Sequence, residues 1–250
     1  NKTNRELIHN TNEKLSATES KMEALRNITE RYDGYGNSIR RVMEQKQWNP
    51  GIIGVVADII TVNQKYEVAV ETALGGSIQN IVTEDDATAK RMISYLKTNR
   101  LGRATFLPLN TITDRGSVRN DVLREKGVIG VASDLVEVDS KFNTLVKNLL
   151  GRIIVVDNID NALAVARKNN QSLRLVTIEG ELINPGGSMT GGAFRNSSNL
   201  LGRKRELDEL KEQIDNLKST ASKAAALDAQ LKTSRDQLRQ DIDKYNSELQ

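Results

Sequence analysis

The 250-residue sequence contains no cysteine and a single histidine, His9. Without cysteine, disulfide bonds and thiolate chemistry are excluded, and a reducing compartment is compatible with the chain. The metal sites that proteins build from Cys and His are excluded for the same reason, so no metal is expected. His9 lies in a stretch with helical spacing, where a solvated surface position is expected for it rather than a catalytic role.

Long apolar runs are also missing. No stretch approaches the roughly 20 apolar residues that a membrane-spanning helix needs, so no membrane contact is expected. The sequence starts NKTNRELIHN, without an initiating Met or the apolar core of a signal peptide. We therefore expect a piece of a longer protein.

Aromatic residues make up only 4% of the chain, against 28% charged and 38% hydrophobic residues. This composition is poor for a compact globule of such length, and it is typical of elongated helices beside a modest globular unit. The formal net charge is +3 and the isoelectric point is near 9.0, which weakly indicates an anionic partner.

Catalytic patterns are absent as well. No G-x-x-x-x-G-K-[ST] phosphate-binding loop occurs, and no nucleophile can be matched with a general base. Glu84, Asp85 and Asp86 have the position of a helix N-terminus, where carboxylates favour the helix dipole. The chain is therefore expected not to be an enzyme and to bind no cofactor.

Regular apolar spacing is what the sequence does have, and it is clearest at the C-terminal end. A second heptad position is mostly apolar there, although Asp228 and Arg235 interrupt it. The first heptad position is occupied by Leu210, Leu217, Ala224, Leu231, Leu238 and Tyr245. A 3–4 alternation of this length predicts an outgoing coiled-coil helix within residues 197–250.

The N-terminal end has the same pattern in a looser form. Ile8, Leu15 and Met22 are seven residues apart, and the glycines of RYDGYGN then stop or kink the helix. An incoming coiled-coil helix is predicted within residues 1–46. Because each apolar stripe is too narrow to be buried alone, we expect the two ends to pair antiparallel, with the globular part at their tip. A parallel homodimer of each helix is the alternative.

The central part contains an internal repeat. Residues 54–75, GVVADIITVNQKYEVAVETALG, align without a gap to residues 130–151, GVASDLVEVDSKFNTLVKNLLG. Each copy is followed by the pattern of a strand, a helix and a closing strand. The predicted fold class is therefore α+β, with two pseudo-repeated α/β subdomains at residues 47–112 and 128–196, joined by a linker at 113–127.

The stretch NPGGSMTGGAF, residues 184–194, carries two pairs of glycines. Because glycine loses more backbone freedom on folding than other residues do, two pairs require an explanation. Three explanations are open at this point. Backbone NH groups cradle an anion, another backbone approaches closely, or the stretch is a flexible linker.

Positive charge is concentrated in two windows without acidic residues, 87–113 and 182–205. Such windows favour the phosphate backbone of nucleic acid, bound with little sequence readout. Solvated surface charge is the alternative explanation for both. The cations predicted to contact DNA are Lys97, Arg100, Arg195, Arg203, Lys204 and Arg205.

Three motifs and their spacing resemble the hinge domain of bacterial SMC (structural maintenance of chromosomes) proteins, with stubs of both coiled-coil arms. The motifs are VAVETALGGSIQNIV at 68–82, GRATFLPL at 102–109 and NPGGSMTGG at 184–192. The resemblance covers essentially the whole chain. It implies a globule at the tip of an antiparallel coiled coil.

The resemblance also implies a twofold homodimer that joins two long SMC chains. The second subdomain of one protomer is expected to meet the first subdomain of the other, sheet edge to sheet edge. A Cβ at the contacting glycines would hold the two backbones apart. The glycines expected at this interface are Gly75, Gly76, Gly186, Gly187, Gly191 and Gly192.

The implied function is homodimerisation, with auxiliary binding of single- or double-stranded DNA, in a cytoplasmic, nucleoid-associated protein of chromosome condensation and segregation. ATP and Mg²⁺ are expected only at a head domain outside this chain. One rival hypothesis is a sequence-nonspecific nucleic-acid-binding module whose dimerisation is incidental. The other is an enzyme that holds a nucleotide in GGSMTGG, which the missing lysine and metal ligands disfavour.

Overall fold

The computed structural model describes residues 2–193 and 199–248. The chain divides into two compact units, an arm unit of residues 1–29 and 206–250 and a globular unit of residues 30–205. The helices are α1 (Lys2–Glu30), α2 (Asn37–Glu44), α3 (Val56–Ile59), α4 (Glu67–Leu74), α5 (Asp86–Thr98), α6 (Asn143–Leu150), α7 (Ile159–Lys168) and α8 (Leu200–Glu248). The strands are β1 (Ile52–Val55), β2 (Thr61–Val62), β3 (Ile81–Thr83), β4 (Phe106–Pro108), β5 (Val128–Val131), β6 (Val136–Glu137), β7 (Ile153–Val156), β8 (Arg174–Thr177), β9 (Leu182–Ile183) and β10 (Met189–Thr190).

The arm unit is an antiparallel pair of helices, as the two apolar stripes predict. Lys21 Nζ lies 2.8 Å from Glu206 Oε1 near one end of the pair. Toward the other end, Asn4 Nδ2 donates to the carbonyl oxygen of Ala224 at 3.0 Å. Residue numbers fall along α1 as they rise along α8, so the prediction of an antiparallel coiled coil is confirmed. None of the described helices combines the length and the apolar character that spanning a membrane would take.

The seam of this pair follows the heptad pattern. Thr11 is buried on α1, and Leu210, Ile214 and Ala224 are buried on α8. A threonine therefore occupies a seam position without breaking the helix. The later apolar seam residues of α8 are exposed in this chain. They are Leu231, Leu238, Ile242 and Tyr245.

The first helix is shorter than the predicted segment 1–46. It ends at Glu30, and Gly34 then adopts a φ of +95°, which a right-handed helix does not allow. The following helix α2 belongs to the globular unit, where Val42 and Met43 are buried. The glycines of RYDGYGN thus separate two helices rather than kinking one.

The globular unit shows the predicted duplication. In the first copy β1 is antiparallel to β3, and β3 is parallel to β4. In the second copy β5 is antiparallel to β7, and β7 is parallel to β8. A helix precedes the middle strand, β3 or β7, and another helix follows it in both copies. The prediction of two related α/β subdomains is confirmed.

A short ladder between the two copies marks their symmetry. Strand β2 pairs antiparallel with β6, and Thr61 lies opposite Glu137. These two residues are equivalent in the repeat, since they are 76 positions apart. An approximate twofold axis must therefore pass between them.

The same local interactions recur in both copies. The side chains of Asn63 and Asp139 accept hydrogen bonds from the backbone two residues later, at 3.0 and 3.2 Å. Asp85 caps α5 and Asn158 caps α7, each accepting from the NH three residues ahead. The duplicated sequence therefore encodes the same turns and helix starts twice.

The two copies differ at one side of the sheet. The second sheet continues beyond β8 with β9 and β10, whereas the first sheet ends at β4. The predicted linker 113–127 also packs against the second subdomain. It contains a helical turn in which Val122 is completely buried against Ile154 and Val165 of the second subdomain.

Candidate dimer interface and basic surfaces

Strand β4 presents an open sheet edge. Ile81 NH donates to the Thr105 carbonyl at 2.9 Å, and Leu109 NH donates to the Thr83 carbonyl at 2.9 Å. In a parallel ladder alternate residues bond to the same neighbour, so the backbone NH and carbonyl of Phe106 point away from β3. Pro108 also faces away from β3, but it has no NH, and its carbonyl accepts a hydrogen bond from Ile112 NH at 3.0 Å. Among the described strands, none pairs with this side of β4.

Strand β10 forms an open edge of the second sheet, and β1 and β5 are the strands at the far sides of the two sheets. It pairs only with β9, and both of its residues are exposed. The Met189 side chain is 53% exposed, which is high for a large apolar residue. The two sheets therefore end in edges of different character, and each carries unpaired backbone groups.

The hairpin turn between β9 and β10 accounts for the first glycine pair. Gly187 NH donates to the Asn184 carbonyl at 2.9 Å, and Gly186 has a φ of +88° after Pro185. This is a type II turn, which requires a positive φ at its third residue. Gly187 also has a positive φ, +92°. The predicted reason for this pair, close approach of a second chain, is therefore not needed to explain it.

The other predicted interface glycines differ in what surrounds them. An added Cβ at Gly191 would lie 3.2 Å from Glu181 Cγ, and Gly192 has a φ of +131°. Gly75 ends α4 with a φ of +52°. Gly76 is exposed, its φ lies outside the left-handed region, and an added Cβ would meet nothing within 4 Å. Of the six predicted interface glycines, Gly76 alone has both a backbone conformation and surrounding space that permit a side chain without strain.

Three of the predicted DNA-binding cations, at the start of α8, contact other residues of the globular unit. Arg205 Nε donates to Oε1 of Glu67, whose side chain is only 5% exposed. Lys204 Nζ donates to the Asp58 carbonyl at 2.9 Å. Arg203 Nη1 donates to the Asp33 carbonyl at 2.8 Å. These three contacts fix the first turn of α8 within the globular unit. DNA contact by the same side chains stays a prediction.

The remaining predicted cations are placed differently. Lys97 and Arg100 are exposed at the C-terminal end of α5, where positive charge also complements the helix dipole. Arg195 lies outside the described residues. A single basic surface formed by the two windows of positive charge therefore stays a prediction.

A polar cluster that the sequence analysis missed lies beside the start of α8. Glu71 is buried, and its carboxylate accepts a hydrogen bond from Leu201 NH at 3.5 Å. Burial raises the pKa of Glu71 to about 7. Burial also raises the pKa of Tyr32 and Tyr35, and the nearby Asp58 carboxylate adds to both shifts.

The repeat alignment contained a signal for this cluster. Glu67 and Glu71 lie one turn apart on α4, and their equivalents on α6 are Asn143 and Lys147. A pair of acids present in one copy and absent from the other indicates a role outside the shared core. Within residues 2–193 and 199–248, no group of acids and histidine has the arrangement of a metal site.

Comparison with known proteins gives one consistent match. The family described as SMC proteins Flexible Hinge Domain matches residues 49–166. The Chromosome partition protein Smc of Desulfitobacterium hafniense is 39% identical over 238 residues, which is 91% of this chain and 20% of that protein. The chain thus spans about a fifth of the length of this relative.

Two solved structures have the same fold. The asymmetric dimer of the Geobacillus stearothermophilus SMC hinge domain matches with a TM-score of 0.83 at 34% identity, covering 90% of this chain and 92% of that chain. The Pyrococcus furiosus Smc hinge domain with an extended coiled coil matches with a TM-score of 0.56 at 28% identity, covering 99% of this chain and 91% of that chain. The duplicated subdomains, the antiparallel arm and these matches agree, and the chain belongs to the hinge domain family of SMC proteins.

Proposed function

We propose that this chain is a homodimerisation hinge that joins two coiled-coil arms in a chromosome partition protein. The observation that carries the proposal is the presence of two different open sheet edges, β4 in the first subdomain and β10 in the second. The dimer named for the Geobacillus stearothermophilus relative supports it. The antiparallel arm supports the second half of the proposal, because α1 and α8 run in opposite directions, as the two strands of one folded-back arm must.

In the proposed dimer, β4 of one protomer pairs with β10 of the other. A strand that adds to an open edge satisfies backbone groups that water otherwise solvates. Twofold symmetry repeats the contact, so each chain contributes both of its edges. The partner then covers the exposed side chain of Met189. The predicted interface glycines also lie against the partner: Gly75, Gly76, Gly186, Gly187, Gly191 and Gly192.

The test is the solution mass by light scattering over a concentration series, with Gly76→Leu as the perturbing variant. The monomer mass is 27.7 kDa, and we expect the native chain to have twice that mass at all concentrations. Gly76→Leu should dissociate the dimer while leaving the thermal unfolding of the monomer intact, because the new side chain meets only a partner.

Gly130→Leu is the matched control. Gly130 also lies outside the left-handed region, and an added Cβ there meets nothing within 4 Å. The control should remain dimeric because Gly130 lies in β5, at the opposite side of the second sheet. A Gly76→Leu variant that stays dimeric, or a native chain that is monomeric, contradicts the proposal.

We also propose that the hinge binds DNA as an auxiliary function, with Lys97 and Arg100 as contacts. Both side chains are exposed and lie in a window without acids. We expect Lys97→Glu with Arg100→Glu to weaken binding of single- and double-stranded DNA and to flatten its salt dependence. Lys65→Glu with Lys141→Glu changes the net charge equally and is the control. Equal losses in both variants would contradict a local DNA site.

The remaining part of the proposal concerns the longer protein, and the name shared by the relatives, chromosome partition protein, supports its chromosomal role. We propose that this protein serves chromosome condensation and segregation in association with the nucleoid in the cytoplasm, and that ATP with Mg²⁺ binds at a head domain rather than in the hinge. A calorimetric titration of this chain with ATP and Mg²⁺ should give no binding at GGSMTGG. Saturable binding that Gly191→Ala abolishes would instead favour the nucleotide-binding alternative.

A further inference from the structure

The second subdomain contains a pocket of about 800 Å³ whose wall is rich in arginine. The pocket lies between the 113–127 segment and the N-terminal ends of β7 and β8. Its cationic lining residues are Arg115, Arg119, Arg152, Lys168 and Arg174. The lining contains no carboxylate. A pocket of this volume fits a small ligand up to the size of a nucleotide.

Two of the five cations are partly neutralised from outside the pocket wall. Arg119 Nη2 lies 3.1 Å from Asp121 Oδ2, and Lys168 Nζ lies 3.6 Å from Glu125 Oε1. Lys168 also lies in the last turn of α7, where it complements the helix dipole. These two side chains therefore have an explanation without a ligand.

The other three cations have no such explanation. Arg115, Arg152 and Arg174 form no ion pair with the carboxylates of residues 2–193 and 199–248. Arg174 begins β8 and lies opposite Ile153, the first residue of β7, and Arg152 directly precedes that strand. Both arginines line the pocket, and an anion bound there would reduce the repulsion between their charges.

The guanidinium of Arg174 provides the most specific observation. Its Nε is buried and has no hydrogen-bond partner among the described residues. A buried donor without a partner costs about 1–3 kcal/mol. Such groups are rare in native proteins, and a bound ion or an ordered water is one explanation for them. Arg174 itself lines the pocket.

We propose that this pocket is a binding site for a phosphate-bearing anion. The planar fork of arginine matches phosphate oxygens with two parallel hydrogen bonds. Ser117, Ser172 and Asn170 also line the pocket and supply further neutral donors. A phosphate with two or more negative charges offsets the three unpaired arginines and satisfies Arg174 Nε at the same time.

The site has a structural connection to the hairpin turn after β9. Pro185 of that turn lines the pocket, and Gly186 NH donates to the Gln171 carbonyl at 2.8 Å. A bound anion therefore lies beside the turn that precedes β10. The site itself lies within one chain and does not depend on dimerisation.

Calorimetric titration of the full chain with inorganic pyrophosphate, without Mg²⁺, tests the proposal. We expect saturable binding to the native chain and affinity about tenfold or more weaker in Arg152→Gln, since a charged hydrogen bond is lost. Arg174→Gln should show the same loss, and thermal unfolding checks that both variants fold. Lys90→Gln removes one exposed charge on α5 and is the matched control, with unchanged affinity expected.

A second arm distinguishes free phosphates from nucleic-acid phosphates. If a short oligothymidylate binds, is displaced by pyrophosphate and is weakened by Arg152→Gln, the pocket takes phosphates of a single strand. If only pyrophosphate depends on Arg152, it takes a free phosphate compound. No saturable pyrophosphate binding, or equal losses in Arg152→Gln and Lys90→Gln, would overturn the site. The dimer mass is measured in parallel, so a failure here is separable from a failure of the proposed hinge function.

Discussion

Replacing Arg205 by methionine is the most informative single change in the chain, because two explanations of this residue predict opposite results. In the structure Arg205 Nε donates to Glu67, and the two side chains are 27% and 5% exposed. Methionine keeps much of the apolar stem of arginine and removes its charge. Among the described residues, the Glu67 carboxylate then keeps the hydrogen bond from the Asn199 amide, 3.3 Å away.

The magnitude follows from the burial of Glu67. Leaving a buried charge without its partner costs about 3–5 kcal/mol when burial is complete. Arg205 is partly exposed and water can reach the vacated space, so we expect a loss of about 2–4 kcal/mol in the free energy of unfolding. Combining Arg205→Met with Glu67→Gln should recover part of this loss, because no charge then remains buried.

Urea unfolding followed by circular dichroism measures these differences. The control is Lys218→Met, which removes an ion pair with Glu19 whose side chains are 57% and 44% exposed. An exposed pair of this kind contributes less than about 1 kcal/mol. If Arg205→Met costs no more than the control and instead weakens DNA binding, the structural reading is wrong and Arg205 is a DNA contact, as the sequence predicted.

Three further predictions concern local features. The raised pKa of Glu71 means that the folded state binds more protons than the unfolded state between the ordinary carboxyl value and about pH 7. Stability should therefore fall as the pH rises through this window, and urea unfolding at pH 5 and pH 8 should show a smaller difference in Glu71→Gln. Gly186→Ala should lower the free energy of unfolding by about 1 kcal/mol or more, because the φ of Gly186 is +88°. Gly76→Ala should leave the stability of the monomer unchanged, and thermal unfolding compares the two variants. Asn158→Ala should cost about 1 kcal/mol by removing the cap of α7, and Asn158→Ser should restore most of it in the same assay.

The fold was predictable where the sequence is periodic or repeated. Heptad spacing predicted the antiparallel arm because a seam is defined by residues three and four positions apart, which are local in the sequence. The match between residues 54–75 and 130–151 predicted the duplication, because equivalent turns such as those at Asn63 and Asp139 need similar residues. The heptad signal remains recognisable when a single threonine or acid occupies a seam position.

The candidate site was less predictable, because it depends on contacts between distant residues. Arg205 and Glu67 are 138 positions apart, and nothing in the local sequence of either indicates the pair. Arg203 and Lys204 look like solvated charge until their partners on the globular unit are known. The first glycine pair was predicted at the dimer interface, but the hairpin turn, which requires a positive φ at Gly186, was missed. The burial of Val122 likewise depends on a subdomain that follows it in the sequence.

The ladder between β2 and β6 has a kinetic consequence. Its two strands are separated by about 75 residues, so closing that loop costs entropy before any contact between the copies forms. The strand pairs within each copy are closer in sequence, and we expect them to form first, with the β2–β6 ladder last. Changes at Val62 should then speed unfolding and leave the folding rate nearly unchanged, which stopped-flow measurements on the monomeric variant can test. The symmetry of the globular unit is, on this view, completed only in the last step of folding.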